Sequence, residues 1–457
     1  MLFPHATQTL RSLLGERFSV AKPDLDAHGR SESHFPAMPP EAVVYPETTA
    51  EVQAIVQICA EHRLPVIGWG AGTSLEGHGL AVEGGIVVDF SRMNRVLEIR
   101  AADMDVTVQP GVTREALNHE LRATGLFFPV DPGANASLGG MAMTRASGTT
   151  TVRYGSMRDA VLGLEVVLAD GRVTRTGSRA RKTAAGYDLT GLMVGSEGTL
   201  GLVTELTLKL AGIPEATSAG ICAFPSIEAA VDTVIETIQM ALPMARIEFV
   251  DAATARAFNA YAGADMDALP HLMIEFHGTR DSVAQDARRF AEIVADHGGG
   301  AFEWSLREEE RRALWAMRHN AYYAILGSRP GARAIVTDMC VPISRLAQAV
   351  TETQADIDAS IVPGPILGHV GDGNFHAVLL IDEQDPAERD AAQDLAHRMA
   401  ERALRLGGTC TGEHGVGLGK RPYMAAEHGH GWQVMGAVKT ALDPLNILNP
   451  GKVVPDR

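Results

Sequence analysis

The sequence predicts an α+β protein of two or three domains, on three observations. At 457 residues the chain exceeds what one compact core usually organises. Its first half carries short apolar strands separated by Gly-, Ser- and Thr-rich loops, and 47 glycines raise the glycine content above the average of roughly 7 %. Its middle third alternates long amphipathic helices with short apolar strands, the pattern of an antiparallel sheet carrying helices on one face.

The elements follow in order. Thr48 and Thr49 can cap a helix over 50–63, with Val52, Ile55, Val56 and Cys59 at helical spacing. A buried strand at 64–67 leads into the loop GWGAGTSLEGHG (68–79), and another buried strand lies at 86–90. Strands at 96–99 and 106–111 flank the polar AADMD turn, and a helix over 114–125 should stop at Gly125. Residues 129–155 are small and glycine-rich. Asp170-Gly171 sits between two strand-like runs, a strong hairpin signal. A domain boundary falls near Gly212-Ile213-Pro214-Glu215. Beyond it, helices are expected at 226–242, 280–298, 342–360 and 391–408, with strands at 246–250, 272–278 and 366–370. The tail 442–455 is turn-rich and is expected to pack back on an earlier domain.

A net charge of −16 argues against nucleic acid and anionic membranes as partners. The four cysteines, Cys59, Cys222, Cys340 and Cys410, form no CxxC pair, which excludes a thiolate zinc site and fits a reducing compartment. The N-terminal residues lack a basic segment followed by an apolar core, and no run approaches the roughly 20 apolar residues of a spanning helix. The expectation is a cytoplasmic protein, with peripheral contact to the inner membrane left open.

The sharpest chemical signal is ILGHVGDGNFHAVLLI (366–381), two apolar runs around Gly371-Asp372-Gly373-Asn374. Read as a hairpin pairing Val370 with Phe375, it puts His369 opposite His376, on one face and about 4.5–5.5 Å apart at Cβ. A register slip of one residue would separate them. Glu413, in GTCTGEHGVGLGK (408–420), offers the carboxylate that completes a two-His, one-carboxylate set for Zn²⁺ or a similar ion. His414 beside it is a candidate general base. The bland alternative is two ordinary histidines on a hairpin.

The loop GWGAGTS (68–74) follows a strand but does not fit a dinucleotide fingerprint: position 73 is Thr, and no helix follows. What remains is a set of Gly/Ser/Thr loops at 68–77, 132–140, 146–149 and 195–201, whose backbone N–H groups can cradle the pyrophosphate of a large extended cofactor.

These stretches resemble the vanillyl-alcohol-oxidase type flavoproteins, and within them the D-lactate dehydrogenase (cytochrome) and glycolate oxidase subunit branch. PEAVVYPETTAEVQAIVQICAEHRLPVIGWGAGTSLEG, DPGANASLGGMAMTRASGTTTVRYG and VGSEGTLGLVTELTLKL resemble the family's flavin-domain segments. GHVGDGNFH, GTCTGEHGVGLGK and LNPGKV resemble the branch's C-terminal signatures, and 318–346 is similar to D-lactate dehydrogenases. The resemblance implies a PCMH-type FAD-binding domain over 1–215 and an α+β, ferredoxin-like substrate domain with an antiparallel sheet over 216–405. A C-terminal segment, 406–457, would carry the catalytic loop and return to the FAD domain.

By matching position it also implies non-covalent FAD. Gly70, Ala71, Gly72, Thr73, Ser74, Glu76 and Gly77 should wrap its pyrophosphate. Pro132, Gly133, Ser137, Gly139, Gly140, Ser147 and Gly148 should line the flavin. Gly195, Glu197, Gly201, Val203 and Asn449 should contact it further. Some relatives attach FAD through a His in the first loop. Here that loop carries Ala71 and Thr73, and His78 lies beyond the linkage positions. The implied metal ligands are His369, His376 and Glu413, for zinc or manganese, with His414 as base. Arg318 should clamp the substrate carboxylate, and Tyr322, one helical turn later, should face the same pocket. The competing reading of Arg318 is a salt bridge with Glu308, Glu309 or Glu310.

The expected activity is oxidation of a D-2-hydroxy acid, D-lactate first, with hydride transfer to FAD. D-2-hydroxyglutarate and glycolate stay open as substrates, and whether Arg333 or Lys420 serves a second carboxylate is not legible. Cytochrome c, a quinone and an electron-transfer flavoprotein are the candidate acceptors, and a homodimer stays open. Rival classes are a colourless metal-dependent hydrolase and a non-catalytic subunit of a larger complex.

Overall fold

A computed structural model describes residues 4–456. The N-terminal reading above rests partly on residues 1–3, which lie outside the described residues. The chain forms two compact units: the first combines 1–147, 155–213 and 413–457, and the second combines 148–154 with 214–412. Among the described residues no helix is long and apolar enough to cross a membrane.

The first unit holds two sheets. One is a four-stranded sheet in the order Phe18–Ser19, Ala42–Val44, Ile86–Asp89, Val66–Trp69, whose last three strands run parallel. The helix Thr49–His62 packs on it through Val52, Ile55, Val56 and Cys59, all buried, and Thr48 caps it by accepting from the Glu51 N–H. The other is a five-stranded antiparallel sheet, in the order Val96–Arg100, Asp105–Val108, Leu202–Lys209, Val161–Val167, Val173–Gly177. The expected hairpin is present. Gly171 N–H donates to Leu168 C=O and Gly171 adopts φ +81°, the left-handed conformation that closes a three-residue loop. The helix expected over 114–125 ends earlier, as Arg114–Leu121, and the chain turns before Gly125. Residues 138–140, expected at the end of a Gly/Ser/Thr loop, instead open a short helix, Leu138–Thr144; Ser137 caps it and its small residues allow close packing.

The second unit is built on an eight-stranded antiparallel sheet ordered Glu303–Ser305, Ala216–Ala223, His271–Gly278, Met244–Val250, Ile366–Gly368, Asn374–Ile381, Arg333–Val336, with Met339–Cys340 also pairing the 374–381 strand. The helices Ile227–Gln239, Arg280–Asp296, Leu346–Asp358 and Pro386–Arg405 bury their apolar stripes on one face. The opposite face is covered too, by Ala252–Ala262, Glu308–His319 and Ala321–Gly327, so the expectation of helices on one face only is corrected. The strand Asn374–Ile381 shows why: all its residues are buried, as a strand covered on both faces must be.

Candidate functional site

In the first unit the glycine loops meet one another. A Cβ on Gly70 would lie 2.2 Å from the Ser137 hydroxyl, so the first and second loops abut with no room for a side chain. The third loop is tied to the helix Leu138–Thr144: Gly195 N–H donates to Ala142 C=O and Glu197 N–H to Met143 C=O. The tail joins through Asn449, whose side-chain amide donates to the carbonyls of His78 (3.1 Å) and Glu197 (2.8 Å). Lys452 donates to His78 C=O, Leu80 C=O and Asn449 Oδ1 at 2.8–3.2 Å. Burial pushes its ammonium down to about 8, with Glu197 opposing. The side chains where these loops meet are small, and glycine-rich loops of this kind can cradle a dinucleotide pyrophosphate. Gly133 is exposed, while Val203 is a core strand residue paired with Val166. Gly148 falls in the second unit, where its N–H donates to Thr151.

The loop after Glu413 is held by two buried carboxylates that the resemblance assigned to flavin contact. Glu197, at φ +55°, accepts from the N–H groups of Val416 (2.6 Å) and Gly417 (2.8 Å) and faces His78 Nε2 at 3.3 Å. Glu76 faces Lys420 Nζ at 3.3 Å and His414 Nδ1 at 3.8 Å. Burial would raise the Glu76 carboxyl, but Lys420, His414 and His78 more than offset this and hold it below the usual carboxylate range. Ser147 Oγ donates to Glu413 Oε2 at 2.6 Å. The odd His78 of the sequence is thus part of the support beneath these loops.

In the second unit His369 and His376 face each other, with ring centroids 5.6 Å apart and planes at 83°. The register differs from the expected one: Leu367, not His369, pairs with His376, and 370–372 form a single 3₁₀ turn closed by Gly373 at φ +77°. The slip is two residues, and an even slip preserves the face, so both imidazoles still share it. Each ring is oriented through Nδ1: His369 to Glu248 Oε1 at 2.7 Å, and His376 to the Thr337 carbonyl at 3.0 Å. Donation from both Nδ1–H groups leaves the lone pairs on Nε2, the arrangement of metal-ligating histidines.

Arg318 is buried and pairs with Glu248 Oε2 at 2.5 Å rather than with Glu308, Glu309 or Glu310. Arg318 and Tyr322 are not on one continuous helix, because Asn320 ends Glu308–His319 and caps Ala321–Gly327. Tyr322 stacks edge-on against Tyr323. Asp338, fully buried, accepts from Asn374 Nδ2 and Thr411 Oγ1, both at 2.7 Å. Arg333 pairs with Glu383 at the surface. Sequence reasoning missed Glu248 and Asp338. Their one signal was an acid inside runs that otherwise read as buried strand, RIEFV and AIVTDMC.

Residues 213–453 match the model of the FAD-linked oxidase C-terminal domain, and residues 40–177 match an FAD-binding domain. The chain belongs to the FAD-linked oxidase family. It is therefore an FAD-dependent oxidoreductase, and its fold is of the vanillyl-alcohol-oxidase, PCMH type. It is 49% identical over 451 residues to a probable mitochondrial D-lactate dehydrogenase of Danio rerio, covering 98% of this chain and 91% of that one. A mitochondrial D-lactate dehydrogenase [cytochrome] of Arabidopsis thaliana is 41% identical, over 98% of this chain and 79% of the relative. The glycolate oxidase subunit GlcD of Bacillus subtilis is 39% identical over 91% and 89%. The solved structure of p-cresol methylhydroxylase with substrate bound superposes with a TM-score of 0.82 at 19% identity, covering 99% of this chain and 96% of that one, which speaks to the fold alone.

Proposed function

We propose that this FAD-linked oxidase oxidises D-lactate to its 2-keto acid and delivers the electrons to a cytochrome or another non-nicotinamide acceptor. The near full-length likeness to D-lactate dehydrogenases carries the reading. Bound flavin supplies the hydride acceptor, and a divalent cation, zinc or manganese, would acidify the substrate hydroxyl. His369 and His376 would hold that cation through Nε2, with Glu413 as the third ligand. Glu413 follows Thr411 by two residues, and the Thr411 hydroxyl is anchored on Asp338. Arg318 would take the substrate carboxylate on its planar fork, with Tyr322 beside it, and His414 would accept the hydroxyl proton.

Two observations favour the small substrate over one with a second carboxylate. Arg333 is engaged by Glu383, and Lys420 is buried against Glu76. The hydrolase alternative has no use for a flavin floor.

The test is anaerobic mixing of the yellow holoprotein with D-lactate, L-lactate, glycolate and D-2-hydroxyglutarate, on protein of measured metal content. Bleaching of the flavin bands by D-lactate ahead of the others is expected. Preference for another acid, or no bleaching at all, rejects the assignment.

A further inference from the structure

Glu248 is a carboxylate beside the histidine pair with no solvent-exposed surface, as Asp338 is. The antiparallel register Phe249↔Gly368 and Val250↔Leu367, extended by one residue, brings Glu248 opposite His369. Cross-strand partners share a face. Each oxygen of Glu248 is spoken for by a different functional element. Oε1 lies 2.7 Å from His369 Nδ1, and Oε2 lies 2.5 Å from an Arg318 terminal nitrogen. One buried anion is therefore shared between a proposed metal ligand and the proposed carboxylate clamp. A buried carboxylate on two cationic or donor partners holds both in fixed geometry, because any departure leaves charge unpaired in a low-dielectric site.

We infer that Glu248 is a positioning residue that sets the imidazole of His369 and the guanidinium of Arg318 in one rigid frame, so that cation affinity and substrate affinity depend on the same carboxylate. The inference rests on the D-lactate reading above, since it takes the roles of His369 and Arg318 from there. A glutamine at 248 has one carbonyl oxygen and an amide NH₂. Its neutral carbonyl can accept from only one of the two donors, and more weakly than a carboxylate, while its N–H groups are turned against the other, so both are loosened. An aspartate keeps the charge but is one methylene shorter and cannot span both. A neighbouring buried pair provides the control. Glu275 accepts from His277 Nε2 at 2.7 Å, and His277 Nδ1 bonds the Tyr154 hydroxyl at 2.7 Å, with no partner among the proposed ligands or the clamp.

The experiment titrates Mn²⁺ into chelator-stripped, flavin-replete wild type, Glu248→Gln, Glu248→Asp and Glu275→Gln, reading free Mn²⁺ by electron paramagnetic resonance. D-lactate kinetics are then measured at saturating Mn²⁺. Glu248→Gln is expected to weaken Mn²⁺ about 10–100-fold. At saturating Mn²⁺ most of kcat should return, while KM for D-lactate stays about tenfold or more above wild type, because Arg318 remains displaced. Glu248→Asp should fall between, and Glu275→Gln should lower the melting temperature without moving either affinity. Unchanged Mn²⁺ binding and KM in Glu248→Gln overturn the inference, as does a change in one without the other. Should the glutamine variant not fold, Glu248→Asp is judged by the same two affinities. Wild type that binds no Mn²⁺, or is not reduced by D-lactate, sinks the functional reading itself rather than the role of Glu248.

Discussion

Ser147 donates a 2.6 Å hydrogen bond to Glu413, across 266 residues of sequence. It joins a loop that the family resemblance assigns to the flavin with the residue proposed as the acidic metal ligand. One Glu413 oxygen is thereby fixed. Ser147→Ala should weaken divalent-cation affinity by about tenfold, in line with the loss of one charge-assisted hydrogen bond. Glu413→Ala should lose cation and D-lactate turnover together while the flavin spectrum persists. Metal analysis of the purified variants, beside their absorption spectra, checks both.

His414 sits next to Glu413 with its Nδ1 3.8 Å from Glu76 Oε1, and it is the proposed base for the substrate hydroxyl. His414→Ala should reduce the rate of flavin bleaching by D-lactate about 10²–10⁴-fold and leave the protein yellow. Stopped-flow bleaching at wild-type speed would remove His414 from the mechanism.

Gly417 adopts φ +47°, and a Cβ there would lie 2.1 Å from the Glu76 carbonyl oxygen, a backbone atom that cannot swing aside. The same carbonyl accepts from Leu418 N–H at 2.7 Å. Gly417→Ala should therefore cost about 2 kcal/mol or more of stability and slow D-lactate oxidation, since the 413–420 loop loses its seat. Thermal unfolding and turnover measured on one preparation test the two effects together.

Lys452 offers a pH signature. Its folded-state value of about 8 lies below the ordinary lysine range near 10.4. Between those values the unfolded chain binds a proton that the folded chain does not, so this group's contribution to stability rises with pH across the window and is flat below it. The stability gap between wild type and Lys452→Met should widen in favour of wild type from pH 8 to 10, by at most about 1.4 kcal/mol per pH unit. A gap that is constant over that range rules out the shift.

Some of this was legible in the sequence and some was not, for physical reasons. The helix Thr49–His62 announces itself because its cap and its apolar spacing are local. The two histidines were found by the alternation of one strand, and their shared face survived a wrong register because the error was even. Arg318 shows the limit. The sequence offered three glutamates within ten residues, yet the partner is Glu248, seventy positions away, delivered by sheet order and strand register. Glu248 and Asp338 could be suspected as acids in buried strands, but what they hold is decided by strands distant in the chain. Likewise the second face of the large sheet is covered by helices whose packing no local periodicity specifies.

The first unit is interrupted by 214–412 before 413–457 completes it. The strand Val66–Trp69 finds Leu448 only then, and Asn449, Lys439 and Lys452 reach their carbonyl acceptors only then. At 5–20 residues per second, a nascent chain waits roughly 10–40 s between making the flavin loops and making the tail that braces them. During that interval the second unit is synthesised, so the unit that begins first is the last to be completed.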